Sequence, residues 1–360
     1  MIPRLKRHLR VSELSELRPG EFSLALGFSP ETGYQLHVEK PALELLALIG
    51  SGPKSVEDLW EQFHLAHPDI ARRDFDGAIT QLMSRGVVED AEPTSVPEEF
   101  QRYDRHVLFY SLFSGNGLAP QMQLQSRCVT LIGMGGIGSW VSYLLAAAGV
   151  GTLILVDGDV VEQSNLTRQV LYSESDVGTR KVDAAASRLR SMNAHVKIET
   201  IPSFVDSASS ASEAIDGADF VVLSGDNDPR IHYWVESACQ NKAIPYSAAG
   251  YRDFYGVVGP IVVPDETLPL DIRDGENPIE RNFERLAQQI SSGFQPPSFG
   301  PLNGIVASIA SAEAIKFLSR VMPPITLHRQ LTIDFRTWDI TFRSFLKSTT
   351  DEDRAGDQHA

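Results

Sequence analysis

Residues 128–160 read CVTLIGMGGIGSWVSYLLAAAGVGTLILVDGDV and hold the pattern of a strand, a turn, a helix and a second strand. CVTLIG and TLILVD are apolar runs of strand length, and residues 137–148 between them form a helical run rich in small residues. The turn contains Gly133, Gly135, Gly136 and Gly138. Glycines at this point permit a tight turn and let backbone N–H groups approach a phosphate at the helix N-terminus. The stretch therefore predicts a Rossmann-like nucleotide site.

The alternation continues toward the C-terminus. VKIET, ADFVVLSGD and IPYSAAG are further strand-like runs, separated by helical patterns at residues 180–192 and in HYWVESACQN. Strands that alternate with helices predict an α/β fold with a mostly parallel sheet covered on both faces. After Pro264, the acidic segment PDETLPLDIRDGENPIE predicts a mobile loop, followed by a helix at 304–318 and an antiparallel pair, LHRQLTIDF and WDITFRSF.

The N-terminal part reads as a separate small domain. FSLALGF and YQLHVE predict two strands joined by SPETG, and three helical segments follow: PALELLALIG, SVEDLWEQFHLAH with Ser55 as N-cap, and RRDFDGAITQLMSRG. A strand pair followed by three helices predicts a winged-helix-like domain. With AEPTSVPEEF as the linker, we expect domains at 1–95 and 96–348 and a disordered tail at 349–360.

Composition narrows the class of protein. The chain has 360 residues, 22% of them charged, and a net charge of −15, which disfavours binding to nucleic acid and to anionic membranes. Only Cys128 and Cys239 are present, so neither a disulfide framework nor a four-cysteine zinc site fits within one chain. We identify no secretory signal, expect no membrane-spanning stretch, and predict a cytoplasmic protein.

A second motif, DGDVVEQSNLTRQ at 157–169, follows the second strand. Asp157 lies about 20 positions after the last glycine, where a carboxylate accepts hydrogen bonds from ribose hydroxyls. The glycine turn alone leaves NAD, FAD and ATP open. Asp159, Asn165, Arg168 and Gln169 add carboxylate, amide and guanidinium groups at the edge where ligands bind, and Lys181 starts the next helix. Arg168 and Lys181 would singly be ordinary surface charges, but the combination favours a triphosphate over a dinucleotide.

Asp226 follows the fourth strand and is a candidate Mg²⁺ ligand, since Mg²⁺ takes one or two carboxylates together with phosphate oxygens. The alternative is a helix N-cap, and Asp228 is a close competitor for the metal role. RYDRH at 102–106 reads by itself only as a basic surface helix.

Together these motifs resemble the ThiF-type adenylating superfamily that includes ubiquitin-activating enzymes. SNLTRQVLYSESDVG, IPYSAAGY and FGPLNGIVASIASAEAIKFL are similar to its peptide-modifying members in the microcin C and pantocin pathways. The resemblance implies that Asp157 holds ribose, that Asp226 holds Mg²⁺, and that Arg105 reaches into a partner subunit's site in a homodimer. It assigns the phosphates to Asn165, Arg168, Gln169 and Lys181. It also implies that the N-terminal domain binds a leader peptide as an added strand.

The implied reaction is adenylation by ATP of a carboxylate on a ribosomally made precursor peptide, with release of pyrophosphate. Charge stabilisation is assigned to Arg105, Arg168, Lys181 and the Asp226-bound metal. Whether the nucleotide is retained or activation leads to cyclisation or dehydration stays open. Rival hypotheses are activation of a ubiquitin-like sulfur carrier, an NAD(P)-dependent oxidoreductase and a peptide-binding pseudoenzyme.

The sequence departs from the superfamily pattern in its cysteines. Many members bind structural zinc through two CxxC pairs, whereas the region after Pro264 has no cysteine, so we predict no zinc. Cys128 and Cys239 fall in a predicted strand and a predicted helix, where a core position is more common than a nucleophile.

Overall fold

The computed structural model describes residues 1–7, 9–27, 34–90, 96–113, 117–268 and 297–346. The predicted SPETG turn, most of the acidic loop and the tail lie outside these ranges, as does the start of the linker. The chain forms two compact units, 1–119 and 120–360. Residues 96–113, which the sequence analysis placed with the larger domain, belong to the first unit, and the functional domain limits stay a prediction.

The first unit contains two small sheets and a set of helices. Its strands are β1 (Pro3–Leu5), β2 (Val11–Arg18), β3 (Glu21–Leu26), β4 (Tyr34–Glu39) and β5 (Val88–Asp90). Its helices are α1 (Lys40–Gly50), α2 (Val56–Ala66), α3 (Arg72–Ser84) and α4 (Asp104–Tyr110). The strands pair antiparallel in the orders β2-β3-β4 and β1-β5. Ser55 caps α2 as predicted, because its side chain accepts the Asp58 N–H and the Asp58 carboxylate accepts the Ser55 N–H.

Strand β2 was not predicted. Its residues are almost all exposed, so the buried-and-exposed alternation that marks a strand is missing from VSELSELR. The core of this unit lies between β3 and the helices α1, α2 and α3, and it includes Leu24, Leu45, Leu59 and Phe75. The winged-helix assignment stays a prediction.

The second unit is built on one eight-stranded sheet, and the predicted fold class is confirmed. Its strands are β6 (Cys128–Ile132), β7 (Thr152–Val156), β8 (Lys197–Ile201), β9 (Phe220–Leu223), β10 (Tyr246–Arg252), β11 (Tyr255–Val262), β12 (Arg329–Asp334) and β13 (Ile340–Ser344). The order is β13-β12-β11-β10-β9-β6-β7-β8, with the five strands from β10 to β8 parallel and the others antiparallel.

Helices cover the sheet. They are α5 (Leu118–Gln125), α6 (Gly136–Ala148), α7 (Lys181–Met192), α8 (Ala208–Ala214), α9 (Ile231–Lys242) and α10 (Gly300–Ser319). Helix α10 packs against α6 and against β10 and β11. By length and composition α10 is long and apolar enough to cross a membrane, so the expectation that no stretch has both properties was wrong. Because 56% of its apolar window is buried inside the molecule, it has the character of a core helix.

The strand order indicates where a ligand would bind. From β6 the chain proceeds outward through β7 and β8, and then crosses to the other side of β6 to form β9 and β10. At such a switch point the loops after adjacent strands leave the sheet in opposite directions and open a crevice at the carboxyl ends. The loops after β6, β7 and β9 therefore border the candidate site.

Candidate nucleotide-binding site

The glycine turn joins β6 to α6 at this crevice. Gly133 has φ +92°, and a Cβ built on it would lie 2.5 Å from the backbone nitrogen of Gly225, so both conformation and space require glycine. The Ser224 hydroxyl donates to the Gly133 carbonyl at 3.0 Å, which ties the turn to the loop after β9. Gly135 is the N-cap of α6, so the first-turn N–H groups of that helix face the crevice.

Asp157 holds the glycine turn in place. Its carboxylate is 8% exposed and accepts the Met134 N–H at 2.6 Å and the Asp159 N–H at 2.8 Å. A carboxylate has about four acceptor positions, so capacity remains for a ribose hydroxyl. The structure thus adds a loop-fixing role to Asp157, and ribose binding stays a prediction.

Tyr172 fixes the same turn from the other side, and the sequence analysis missed it. Its hydroxyl donates to the Met134 carbonyl at 2.8 Å in a buried position. Burial raises the pKa of Tyr172 well above its usual value, and the nearby Asp157 charge adds to the rise. The sequence signal for this role was a tyrosine within the apolar run VLY at 170–172, since a buried tyrosine hydroxyl usually needs a hydrogen-bond partner.

The segment 160–169 forms one wall of the site through a short 3-10 helix, Gln163–Thr167. Asn165 is buried and its Oδ1 accepts the Glu162 N–H at 3.1 Å, so this oxygen serves the loop itself. Arg168 donates to the Ser164 carbonyl at 2.8 Å, and its Cδ lies 3.7 Å from the position of a Cβ on Gly136. Arg168 therefore reaches the first turn of α6.

Lys181 begins α7 and is almost buried, at 7% exposure. Its ammonium donates to Asp159 Oδ2 at 2.8 Å, and its backbone N–H donates to the Asp159 carbonyl. The ammonium has three donors, so the pair positions the charge without exhausting its hydrogen-bonding capacity.

The loop after β9 distinguishes Asp226 from Asp228. Asp228 receives the backbone N–H, Nε and Nη2 of Arg230, which lowers its pKa to about 2. Asp226 is exposed and makes no hydrogen bond or ion pair with any described residue. The N-cap of α9 is Arg230, so Asp226 does not cap that helix.

Magnesium at Asp226 stays a prediction, and the donor set is compatible with it. In the described ranges no three His, Cys, Asp or Glu side chains cluster as a metal site. Mg²⁺ usually keeps waters and takes phosphate oxygens alongside one or two carboxylates, so a single aspartate beside a triphosphate is a fitting set.

Two buried amides adjoin the start of α6. Gln169 is 4% exposed, its Nε2 lies 3.9 Å from a Cβ built on Gly135, and its Oε1 has no hydrogen-bond partner among the residues that the structure describes. Asn303, in the first turn of α10, is fully buried, and its Nδ2 would be overlapped by a Cβ on Gly136. Its Nδ2 donates to Ser298 Oγ at 3.1 Å, while its Oδ1 has no partner in the described part of the chain.

Asn303 was assigned no role from sequence, although FGPLNG contributed to the resemblance. The sequence signal was a single carboxamide side chain in a helical run of small and apolar residues. Such a side chain is expected to be buried, and a buried polar group needs a hydrogen-bond partner.

Arg105 lies in the first unit, on α4, where it is exposed and makes no hydrogen bond or ion pair with described residues. Its neighbour Asp104 is engaged by Arg7 in a bidentate pair at 2.6 and 2.7 Å. RYDRH thus spans the end of a 3-10 helix, Glu98–Tyr103, and the start of α4. The Arg105 guanidinium is unpaired among the described residues, and its proposed action in a partner's site stays a prediction.

These features fit a nucleoside triphosphate. The turn is closed to any side chain at Gly133, and no described side chain caps the N-terminus of α6. Arg168 and Gln169 lie at this helix terminus, whose first-turn N–H groups suit an anion. The fold and site together define a Rossmann-like nucleotide-binding α/β protein.

The ThiF family model matches residues 103–355, and the chain belongs to the ThiF family. It is 33% identical over 221 residues to the molybdopterin-synthase adenylyltransferase of Haemophilus influenzae, covering 61% of this chain and 84% of that protein. It is 32% identical over 250 residues to the adenylyltransferase and sulfurtransferase uba4 of Aspergillus clavatus, covering 66% of this chain but 48% of the relative. The chain thus spans about half the length of several curated relatives that it matches.

Solved structures match over nearly the whole chain. The Escherichia coli microcin C7 biosynthetic enzyme MccB superposes with a TM-score of 0.75 at 26% identity, covering 97% of this chain and 98% of that one. MccB has been solved with ATP and with N-formylated MccA. PaaA shares the fold, with a TM-score of 0.72 over 93% of this chain and 99% of its own.

Proposed function

We propose that this protein uses ATP to adenylate a carboxylate on a ribosomally made precursor peptide, and releases pyrophosphate. The observation that carries the proposal is the set of groups converging on the first turn of α6: its free N–H groups, Arg168, and the Asp157-held glycine turn. Positive and N–H groups at one helix terminus suit a polyphosphate.

The chain's residues divide the work. Asp157 accepts a hydrogen bond from a ribose hydroxyl. The phosphate oxygens are bound by the N–H groups of α6 and by four side chains, those of Asn165, Arg168, Gln169 and Lys181. Asp226 would hold Mg²⁺. The metal, when bound, neutralises charge on the phosphates and orients them. A carboxylate oxygen of the peptide bonds to the α-phosphorus, the bond to the bridging oxygen breaks, and pyrophosphate carries away that electron pair. Because positioning and charge supply most of the catalysis, no nucleophilic side chain of the protein is required.

The length of the structural match favours a peptide as the substrate. The superposition on MccB includes the first unit, whereas the matched part of the Haemophilus influenzae relative covers 61% of this chain. In the first unit, β2 and β4 are the edges of a three-stranded antiparallel sheet, and an extended peptide can add to such an edge.

Deletion of residues 1–95 should then abolish processing of a precursor peptide and leave the affinity for ATP within about twofold. Equal processing by the truncated protein would remove the leader-binding role.

A second candidate function is activation of a ubiquitin-like sulfur carrier. It is favoured by the sequence relatives, which are named as molybdopterin-synthase adenylyltransferase and as adenylyltransferase and sulfurtransferase. The same site chemistry would serve a carrier's C-terminal carboxylate, so the site alone does not separate the two substrates.

The deciding experiment measures exchange of labelled pyrophosphate into ATP. The protein is given either short synthetic precursor peptides encoded beside its gene or a sulfur carrier ending in Gly-Gly. Exchange with a peptide supports the proposal, and exchange with the carrier alone supports the second function. Mass spectrometry of the peptide then separates nucleotide retention from water loss. Calorimetry showing NAD⁺ binding in preference to Mg·ATP would overturn both.

Arg105 is proposed to act across a homodimer. Arg105→Ala and Lys181→Ala should each be inactive, because each removes a phosphate-binding cation. Co-expression with two tags yields heterodimers in which one site carries both lesions and the other carries neither. Such heterodimers should regain activity, approaching half that of wild-type dimers when the sites work independently. Purified heterodimers without activity would show that Arg105 does not act in trans.

The proposal includes no structural zinc and a cytoplasmic location. Metal analysis of the purified protein should find less than about 0.1 zinc per chain, since a closed zinc site needs about four Cys, His or acidic ligands. One tightly held zinc per chain would contradict the prediction.

A further inference from the structure

Three aromatic side chains form a ladder at the edge of the large sheet where the candidate site lies. Phe299 contacts Phe335 edge to face, with 5.5 Å between the ring centroids, and Phe335 contacts Trp338 in the same way at 5.0 Å. The two outer rings, of Phe299 and Trp338, are 53% and 55% exposed, whereas Phe335 packs against the core. Large exposed apolar side chains that adjoin one another are typical of an interaction surface.

The inner end of this aromatic ladder adjoins the candidate site. Phe299 is the N-cap of α10, and Gly300 is the next residue. A Cβ built on Gly300 would lie 2.8 Å from the carbonyl oxygen of Thr167 and 3.5 Å from the Cα of Arg168. The start of α10 therefore packs on the wall that carries Arg168, and the aromatic ladder is continuous with that wall.

The outer end of the aromatic ladder lies in the turn between β12 and β13. Strand β12 ends at the same edge of the sheet as β10, because β11 is antiparallel to both. Trp338 has φ +66°, a conformation that is unfavourable for a bulky side chain. The turn is held by the Trp338 N–H, which donates to the Asp334 carbonyl at 2.7 Å, and by the Asp334 N–H, which donates to the Asp339 carbonyl at 2.9 Å. Backbone strain that the surroundings enforce in this way is common at ligand-binding positions.

The adenosine of the proposed nucleotide does not account for the aromatic ladder. Asp157, the proposed ribose partner, follows β7, and β12 is five strands away from β7 in the sheet. At about 4.8 Å per strand the separation is about 24 Å, which is beyond the reach of a base attached to that ribose. An aromatic surface nearer to the ribose is offered by Phe204, which is 43% exposed and lies 2.6 Å from the position of a Cβ on Gly158.

We propose that the aromatic ladder binds the residues of the substrate peptide that precede the activated carboxylate, and that it selects apolar side chains there. This inference rests on the proposed adenylation and deepens it. The peptide must place its carboxylate in the crevice, so its neighbouring residues lie on a surface that is continuous with the crevice. The two centroid distances together span at most about 10 Å, the length of about three residues of extended peptide.

The test uses two acyl-adenylate mimics of that length. The probes are N-acetyl-Leu-Leu-Gly-sulfamoyladenosine and N-acetyl-Asn-Asn-Gly-sulfamoyladenosine, whose side chains have nearly the same shape but differ in polarity. Isothermal titration calorimetry on the full chain gives the ratio of their dissociation constants. The wild-type protein should bind the leucine probe about tenfold more tightly, as expected when two apolar side chains are partly buried.

Variants assign that preference to the aromatic ladder. Trp338→Asn removes the outer ring, and asparagine tolerates a positive φ, so the turn should persist while the ratio falls to about threefold. The double variant with Phe299→Ser, in which serine is a favourable N-cap, should have a ratio of about one and bind the asparagine probe within about twofold of wild type. The matched control is Ile325→Asn, because Ile325 is also 53% exposed but precedes β12 at the opposite edge of the sheet. This control should keep the wild-type ratio.

A second measurement separates binding from a structural role. The melting temperature of Trp338→Asn should change by less than about 2 °C, because relief of backbone strain offsets the lost ring contact. A ring that serves only the fold would lower the melting temperature and leave the ratio of the probes unchanged.

The outcomes are distinct. A wild-type ratio near one, or an undiminished ratio in the double variant, would overturn the inference while leaving adenylation intact, as long as both probes bind more tightly than AMP. If neither probe binds wild type more tightly than AMP does, the adenylation proposal itself fails, and this inference fails with it. If sedimentation velocity shows that the double variant dissociates a wild-type dimer, the aromatic ladder is an interface between copies of the chain and the inference is wrong.

Discussion

The loop after β7 and the loop after β9 both carry aspartates at the crevice edge of the sheet, but their side chains are in different states. In the first loop, Asp157 accepts two backbone N–H groups and Asp159 accepts the Lys181 ammonium. In the second loop, the Arg230 guanidinium donates hydrogen bonds to the Asp228 carboxylate, and Asp226 has no partner among the described residues. The first loop is therefore held by its own hydrogen bonds, while the second leaves one carboxylate available to a ligand.

This difference separates two tasks within one site. Side chains that are fixed before a ligand arrives need no reorganisation when it binds, which is the basis of electrostatic preorganisation. An exposed carboxylate without a partner is suited to a cation that arrives with the nucleotide. A substitution in the first loop should therefore affect folding as well as binding, whereas Asp226 should matter for chemistry alone.

The largest effect is expected from Asp226→Asn. Removing the free carboxylate should lower pyrophosphate exchange about a thousandfold, equivalent to about 4 kcal/mol of lost transition-state stabilisation. The melting temperature should stay unchanged, because Asp226 contacts no described residue.

Asp228→Asn is the matched control, two positions away in the same loop. Its ion pair with Arg230 is solvent-exposed, and exposed pairs contribute little, so exchange should stay within about twofold of wild type. Similar losses in the two variants would mean that the loop does not separate a free carboxylate from an engaged one.

Gly133→Ala tests the contact between the glycine turn after β6, which Asp157 of the first loop holds, and the loop after β9. A Cβ there would press on the backbone of Gly225, and φ is +92°, so we expect a loss of more than about 3 kcal/mol in unfolding free energy. Gly178 has a similar φ of +88° but no atom within 4 Å of its Cβ position, so Gly178→Ala should cost only about 1 kcal/mol. Equal losses in chemical denaturation would show that the contact between the loops is unimportant.

Tyr172→Phe should have the smallest effect and a distinct pH dependence. Loss of the hydrogen bond to Met134 should lower the free energy of unfolding by about 1 kcal/mol at neutral pH. Because burial raises the Tyr172 pKa in the folded state, the tyrosine contributes full stability below the unfolded pKa of about 10 and loses it as pH rises above that value. The deficit of the variant should therefore shrink in guanidinium titrations between about pH 9 and pH 11, and a constant deficit would contradict the assignment.

The parallel half of the fold could be predicted from sequence because its signals are local. Buried parallel strands are continuous apolar runs, and the glycine turn marks where the first of them ends. Strand β11 is also largely apolar, but it pairs antiparallel with both of its neighbours in the sheet. One of them, β12, is distant in sequence, so no local signal reveals that pairing. Strand β2 has no buried face to reveal it.

The site was predictable only in part, for the same reason. The aspartates and cations stand in short motifs whose spacing shows that they share one edge of the sheet. Asn303 reaches Gly136 only because α10 packs on α6, and the two residues are 303 − 136 = 167 positions apart in the sequence. The distinction between Asp226 and Asp228 likewise depends on where the Arg230 side chain lies.

The apolar character of α10 has a consequence for synthesis of the chain. As they leave the ribosome, residues 300–319 present an apolar stretch that is long enough to span a membrane. They are translated late, after β6 to β11 and after α6, which are the surfaces that α10 covers. With synthesis at about 5–20 residues per second, the last of those surfaces, β11, precedes α10 by a few seconds. The surfaces that cover this long apolar helix are thus synthesised before the helix itself.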